Sequence, residues 1–141
     1  MQPSMRVQSL RRGRRGATIV EIALALMVLL LLVIGTIEFG RAAWAYNTLA
    51  HATRQGARYA MAHGSLATPA TANGISTWVK NAAVGLNKSD ISVTTTWPAG
   101  VKRNGIVSVH SEYAFRPAAG TLLFKQGSLT FKSTSTVYVA N

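Results

Sequence analysis

Residues 22 to 37, Ile-Ala-Leu-Ala-Leu-Met-Val-Leu-Leu-Leu-Leu-Val-Ile-Gly-Thr-Ile, contain no charged side chain. Extended back through Ala17, Thr18, Ile19 and Val20, the stretch reaches the ~20 residues that cross a hydrocarbon core. Glu21 alone interrupts it. A removed secretory signal has the same basic and then apolar order, but it ends in a small-residue cleavage site and a polar mature start. Here the run continues into Glu38-Phe39-Gly40-Arg41-Ala42-Ala43-Trp44-Ala45-Tyr46. Trp44 and Tyr46 suit the aromatic belt at a membrane surface. The segment therefore reads as an anchor that stays.

Charge orients it. The chain has 15 lysines and arginines against 4 acids, a net +11, and Arg6, Arg11, Arg12, Arg14 and Arg15 all precede the apolar run. Arginine clusters stay on the cytoplasmic side, which puts the N-terminus inside and the remainder across the membrane. Without that leader the balance is +6, so much of the basicity is a topology signal. The absence of cysteine removes disulfides, thiolate nucleophiles and cysteine-based metal sites from consideration.

Past the membrane, no stop signal precedes Gly64-Ser65, so one helix is expected through about His63. Ala45, Leu49, Ala52, Gly56 and Ala60 repeat at three and four residues and form a face of small side chains, with His51, Arg54 and Arg58 opposite. Gly64 to Asn73 reads as a loop around Pro69. Ile75 to Leu86 reads as a second helix, with Ile75, Trp78, Val79, Ala82, Ala83 and Leu86 on its apolar stripe. The period then changes to two. Ile91, Val93, Thr95 and Trp97 mark one strand, closed by Pro98-Ala99-Gly100. Val107, Val109, Tyr113 and Phe115 mark a second, with Ser108, His110 and Glu112 on its other face. Leu129, Phe131, Val137 and Val139 mark a third. Trp78, Trp97 and Phe131 are expected in the core. The fold class is α+β: a long N-terminal transmembrane helix continuing into a small domain whose three-stranded antiparallel sheet packs on it. The divisions are 1–16 as basic leader, 17–63 as the long helix and 64–141 as the exported α+β domain.

The residues around the start of the run carry the function. Arg14-Arg15-Gly16-Ala17-Thr18-Ile19-Val20-Glu21 places a glycine after basic residues and a glutamate five positions on. This resembles the processing site of type IV pilins. The resemblance implies cleavage between Gly16 and Ala17 by a prepilin peptidase, and a role in assembly for Glu21, pairing with the new amino terminus of a neighbour. Glycine suits a scissile bond because it hinders an extended backbone least. A carboxylate in the bilayer costs ~2.5–3.5 kcal/mol at the centre and less near the edge, where Glu21 lies.

Val20-Glu21-Ile22-Ala23-Leu24, Ile37-Glu38-Phe39-Gly40-Arg41 and Ala52-Thr53-Arg54-Gln55-Gly56-Ala57-Arg58-Tyr59-Ala60 resemble the TadE-like pseudopilins of Tad/Flp, type IVb-like pilus systems. The resemblance covers roughly the first 60 residues. It departs at Ile22, where phenylalanine is usual, at Met27, where a proline often kinks the span, and at Gln55, where glutamate is common. It implies a minor pilin in a bacterial inner membrane, with the prepilin peptidase and the other pilins of the same machine as partners. The C-terminal domain would be periplasmic or extracellular, and no cofactor is implied.

Glu38 and Arg41, one turn apart, are placed to pair at the membrane edge, and with Arg54 and Arg58 they form a set of candidate subunit-contact residues. No catalytic constellation stands out. Ser108, His110 and Glu112 alternate along one strand face, where neighbours stand ~6.5–7 Å apart, beyond the hydrogen-bond reach a general base requires. Two other readings remain open from sequence: an uncleaved, signal-anchored envelope protein, and a pilus subunit that also binds DNA or acidic polymers through its residual charge.

Overall fold

The computed structural model describes residues 9–63, 70–98, 100, 104–118 and 127–139, with side chains from residue 16 onward. The elements run α1 (Ser9–His63), α2 (Ala72–Ala82), a 3-10 turn (Lys88–Asp90), β1 (Ile91–Thr96), β2 (Ile106–Phe115) and β3 (Leu129–Tyr138). The chain divides into two compact units, Met1–Phe39 and Gly40–Asn141. The α+β class expected from sequence, a long apolar helix followed by a three-stranded antiparallel sheet, is the observed one.

The first unit is helical throughout its described residues. Leucine, alanine and methionine favour helix intrinsically. Thr36, the polar residue near the end of the apolar run, folds its hydroxyl back to donate to the Leu32 carbonyl at 2.8 Å, so no side-chain donor is left to lipid. Large side chains from Ile19 to Ile37 are 44–68% exposed. The 48 residues Gly16–His63 form one helix long and apolar enough to span a bilayer, and none of its most apolar window is buried within the protein. Covering fourteen such side chains is worth ~20 kcal/mol or more, well above the cost of Glu21. Among the described residues α1 is the one helix of this kind, as in a single-pass membrane protein.

In the second unit the outer part of α1 buries Ala45, Leu49, Ala52, Gly56 and Ala60, the expected face. Ala50, Thr53 and Ala57 are buried as well, so the face is wider than a single stripe. Thr53 is tolerated there because its hydroxyl donates to Leu49 O at 2.8 Å. Tyr59 is half-buried against the core.

Helix α2 begins earlier and ends earlier than its apolar pattern suggested. Thr71 caps it, accepting from the Gly74 N–H at 3.1 Å, so Ala72 and Asn73 are helical rather than loop; residues 64–69 of the expected loop lie outside the described residues. The Ala83 N–H bonds Val79 O at 3.0 Å, and Gly85 turns the chain at φ +79°. Ile75, Val79, Ala83 and Leu86 are buried. Trp78 is not core, contrary to expectation: it is 49% exposed and stacks on Tyr59 at 4.9 Å between ring centroids. The reason lies across the interface. A Cβ on Gly56 would collide with Val79 Cγ2. The two helices therefore approach too closely for an indole to lie between them. Trp97 and Phe131 are partly buried against the core, as expected.

The sheet is a meander in the order β1-β2-β3, antiparallel throughout. Register pairs Val93 with Ser111 and Thr95 with Val109, then Tyr113 with Phe131 and Val107 with Val137. Val107, Val109, Ser111 and Phe115 are buried and Tyr113 packs on the core, so period two sorts the faces as read from sequence. After β1, Gly100 N–H donates to Trp97 O at 3.0 Å with φ +75°, a tight turn in which Pro98 presets the backbone.

Candidate functional site

Gly16, Ala17 and Glu21 all lie on α1 and all are exposed. No atom lies within 4 Å of where a Gly16 side chain would begin. The backbone there is helical, not extended as a scissile bond requires, so a peptidase would have to unwind it. Glycine costs a helix ~1 kcal/mol relative to alanine, and Gly16 makes no packing contact that resists unwinding. Glu21 follows one turn beyond Ala17. Among the described residues of the first unit nothing covers either residue, which leaves both open to a neighbouring chain.

Of the four remaining candidates, Glu38 and Arg41 sit near the middle of α1, and Arg54 and Arg58 near its C-terminal end. Glu38 is half-buried. Arg41 carries its guanidinium over the Phe115 ring, 5.6 Å from the centroid, a cation–π contact that ties α1 to the end of β2. Arg54 is exposed and donates from Nε to Ala50 O at 3.2 Å. Arg58 is exposed on the same stripe, with His51 between Asn47 and Arg54. The positively charged face opposite the buried stripe thus exists as read.

Sequence reasoning misjudged one cluster, the outer face of the sheet. His110 Nε2 lies 3.1 Å from Glu112 Oε1 although the two residues alternate on one strand. Strand spacing fixes Cα positions, and two long side chains can still lean together. Lys132 Nζ, directly across on β3, reaches the same carboxylate oxygen at 2.8 Å. Thr134 Oγ1 meets His110 Nδ1 at 2.7 Å. Ser108 pairs with Thr136 at 3.0 Å instead of meeting the imidazole. The result is a cross-strand polar ladder in which each ring nitrogen is engaged and the serine is not presented to a base. Lys132 first, then His110, hold the Glu112 carboxyl below the usual glutamate range. At the sheet edge Arg116 approaches Asp90 at 3.4 Å. Among the described residues no three His, Cys, Asp or Glu side chains gather as metal ligands.

Sequence gave no signal for two further contacts. Tyr46 meets Phe131 edge-on at 6.0 Å. Trp44 lies over Gly85, where a Cβ would fall 2.5 Å from the indole Cη2. Each joins residues far apart in the chain, and the first depends on strand register.

No curated protein and no solved structure matches the chain at a significant level. A family model does match, over under a third of the chain, in the stretch that holds the glycine–glutamate motif, the apolar run and most of the small-residue face. Residues 16–58 match the family model described as TadE-like protein, the family their motifs resemble.

Proposed function

We propose that this chain is a minor pilin, or pseudopilin, of a bacterial Tad/Flp, type IVb-like pilus, processed after Gly16 by a prepilin peptidase and not itself an enzyme. The observation that carries the reading is the TadE-like match, which starts at Gly16 and runs through the exposed apolar helix into the packed one. The arginine leader orients the span with its N-terminus in the cytoplasm and the sheet domain outside. Once Ala17 becomes the N-terminus, its ammonium sits at the positive end of a helix, an unfavourable place for a cation. Glu21, one turn on, offsets that charge within the subunit or, between staggered subunits, in a neighbour, which makes axial register depend on it.

Intact mass of the membrane-extracted protein tests processing. The expected species begins at Ala17, and a functional membrane form that still begins at Met1 sinks the proposal in favour of an uncleaved envelope anchor. Glu21→Gln separates assembly from anchoring. It should be cleaved and inserted normally yet lose pilus-dependent adhesion or secretion. Normal function in that variant reduces Glu21 to a helix-start residue.

A further inference from the structure

Two exposed apolar side chains of the second unit lie side by side although forty residues separate them: Trp44, 52% exposed, and Val84, 73% exposed. Gly85 brings them together, since both its positive φ and the closeness of the indole exclude a side chain there. With Ala82 they line a shallow groove of about 500 Å³, whose rim is Asn47, Thr48 and His51. No acidic side chain lines it. The Lys88 ammonium is held nearby on the last turns of α2 by Asn81 Oδ1 at 2.8 Å. Asp90, the acid nearest in sequence, is engaged by Asn87 and Arg116.

We propose that this groove docks on the interfacial layer of the bilayer that holds α1, with Trp44 and Val84 as its apolar contacts. The inference rests on the membrane-anchored reading. Trp44 follows Ile37, the end of the apolar run, by seven residues, so even a fully extended chain keeps it within ~25 Å of the span. Such a tether holds the patch at high local concentration beside the lipid, and a weak affinity then suffices. The chemistry fits that layer. An indole offers an apolar body with one N–H donor and concentrates at headgroup depth. Val84 adds apolar area, while Asn47, Thr48 and His51 offer hydrogen bonds to glycerol and phosphate. Lys88 favours an anionic surface. Of the two belt residues read from sequence, Trp44 and Tyr46, Trp44 lines this groove; the second contact, from the turn after α2, comes only from the fold.

The chain has no cysteine, so Val84→Cys takes a single environment-sensitive fluorophore. The full chain is reconstituted in vesicles of phosphatidylethanolamine and phosphatidylglycerol containing a nitroxide-bearing lipid, and floated to confirm retention. The expected result is nitroxide quenching several-fold stronger at position 84 than at a Thr136→Cys control on the outer sheet face, lost when Trp44→Ser is added. Equal quenching at both positions overturns the inference. A label shielded from aqueous iodide yet not quenched by lipid also overturns it, and assigns the groove to a neighbouring protein copy. Protein that floats without selective quenching retains the anchor and refutes only this docking. Protein that fails to float refutes the anchoring and the docking with it.

Discussion

Helix α1 solves the same problem twice in opposite ways. From Ile19 to Ile37 its large apolar side chains are exposed, and none of the described residues of the first unit covers them. From Ala45 to Ala60 one face of the helix is buried, and that face (Ala45, Leu49, Ala52, Thr53, Gly56, Ala57 and Ala60) is mostly alanine, glycine and threonine. Apolar content alone would rank the first stretch as the core and the second as surface. The order is reversed because burial within a chain needs a partner that can come close. Small residues let α2 and the sheet approach the helix backbone, and the gain comes from dense contact with Ile75 and Val79 of α2 and Val107 and Val109 of β2. Bulky residues gain as much from lipid, which adapts its shape to them and needs no complementary surface. One helix therefore carries an anchor and a packing scaffold.

Leu30→Ala and Leu49→Ala put that comparison under its hardest test, because the chemical change is identical. Leu49 is fully buried, so its truncation should lower domain stability by ~2–5 kcal/mol, read as the midpoint of chemical unfolding in detergent. Leu30 is 59% exposed. Its truncation should leave that midpoint unchanged and weaken insertion by under ~1 kcal/mol. Equal effects on domain stability would break the division between the two halves.

Glycine gives the next contrast. At Gly35 a Cβ meets nothing within 4 Å, whereas at Gly56 it collides with Val79. Gly35→Ala should be neutral or gain up to ~1 kcal/mol of helix propensity. Gly56→Ala receives the same propensity gain but forces Val79 out of place, and overpacking of this kind costs ~1–3 kcal/mol. The expected outcome is a lower melting temperature for Gly56→Ala alone. A stabilised Gly56→Ala would mean that α2 can shift freely, and the close approach would lose its role in excluding Trp78 from the core.

These contrasts also show what was legible in the sequence. The anchor, the small-residue face and all three strands could be read because each obeys a period that one chain segment displays by itself. Trp78 fell on the apolar stripe of its helix, but its fate was decided by Gly56 on another element, and helical periodicity carries no information about the distance between helices. The limits of α2 were set by the Thr71 cap and the Ala83 cap bond rather than by apolar residues. In the candidate site, Gly16 and Glu21 were legible as a motif, and so were the exposed arginines. The Glu112 cluster was not, because its main partner, Lys132, comes from a strand whose register no local pattern fixes.

That cluster supplies the smallest expected effect and marks the outer limit of the comparison, since it belongs neither to the apolar run nor to the buried core. Lys132, with His110 second, lowers the Glu112 pKa below its ordinary value of 4.5. A carboxyl whose pKa is depressed on folding contributes stability that is fully present above the unfolded value. That contribution is lost as pH falls through the folded value. Its pH window therefore lies below about 4.5, and neutral pH lies on the plateau. The contribution is small, because both partners are solvent-accessible and surface pairs are screened. Lys132→Gln should lower the melting temperature slightly at pH 7, and the difference from the parent protein should shrink as pH falls below 4.5 and vanish once Glu112 is protonated in both. High salt should shrink the pH 7 difference as well. A difference that persists unchanged at acid pH would mean that Lys132 acts through its aliphatic stem on the sheet surface, and the ladder would then be packing rather than electrostatics.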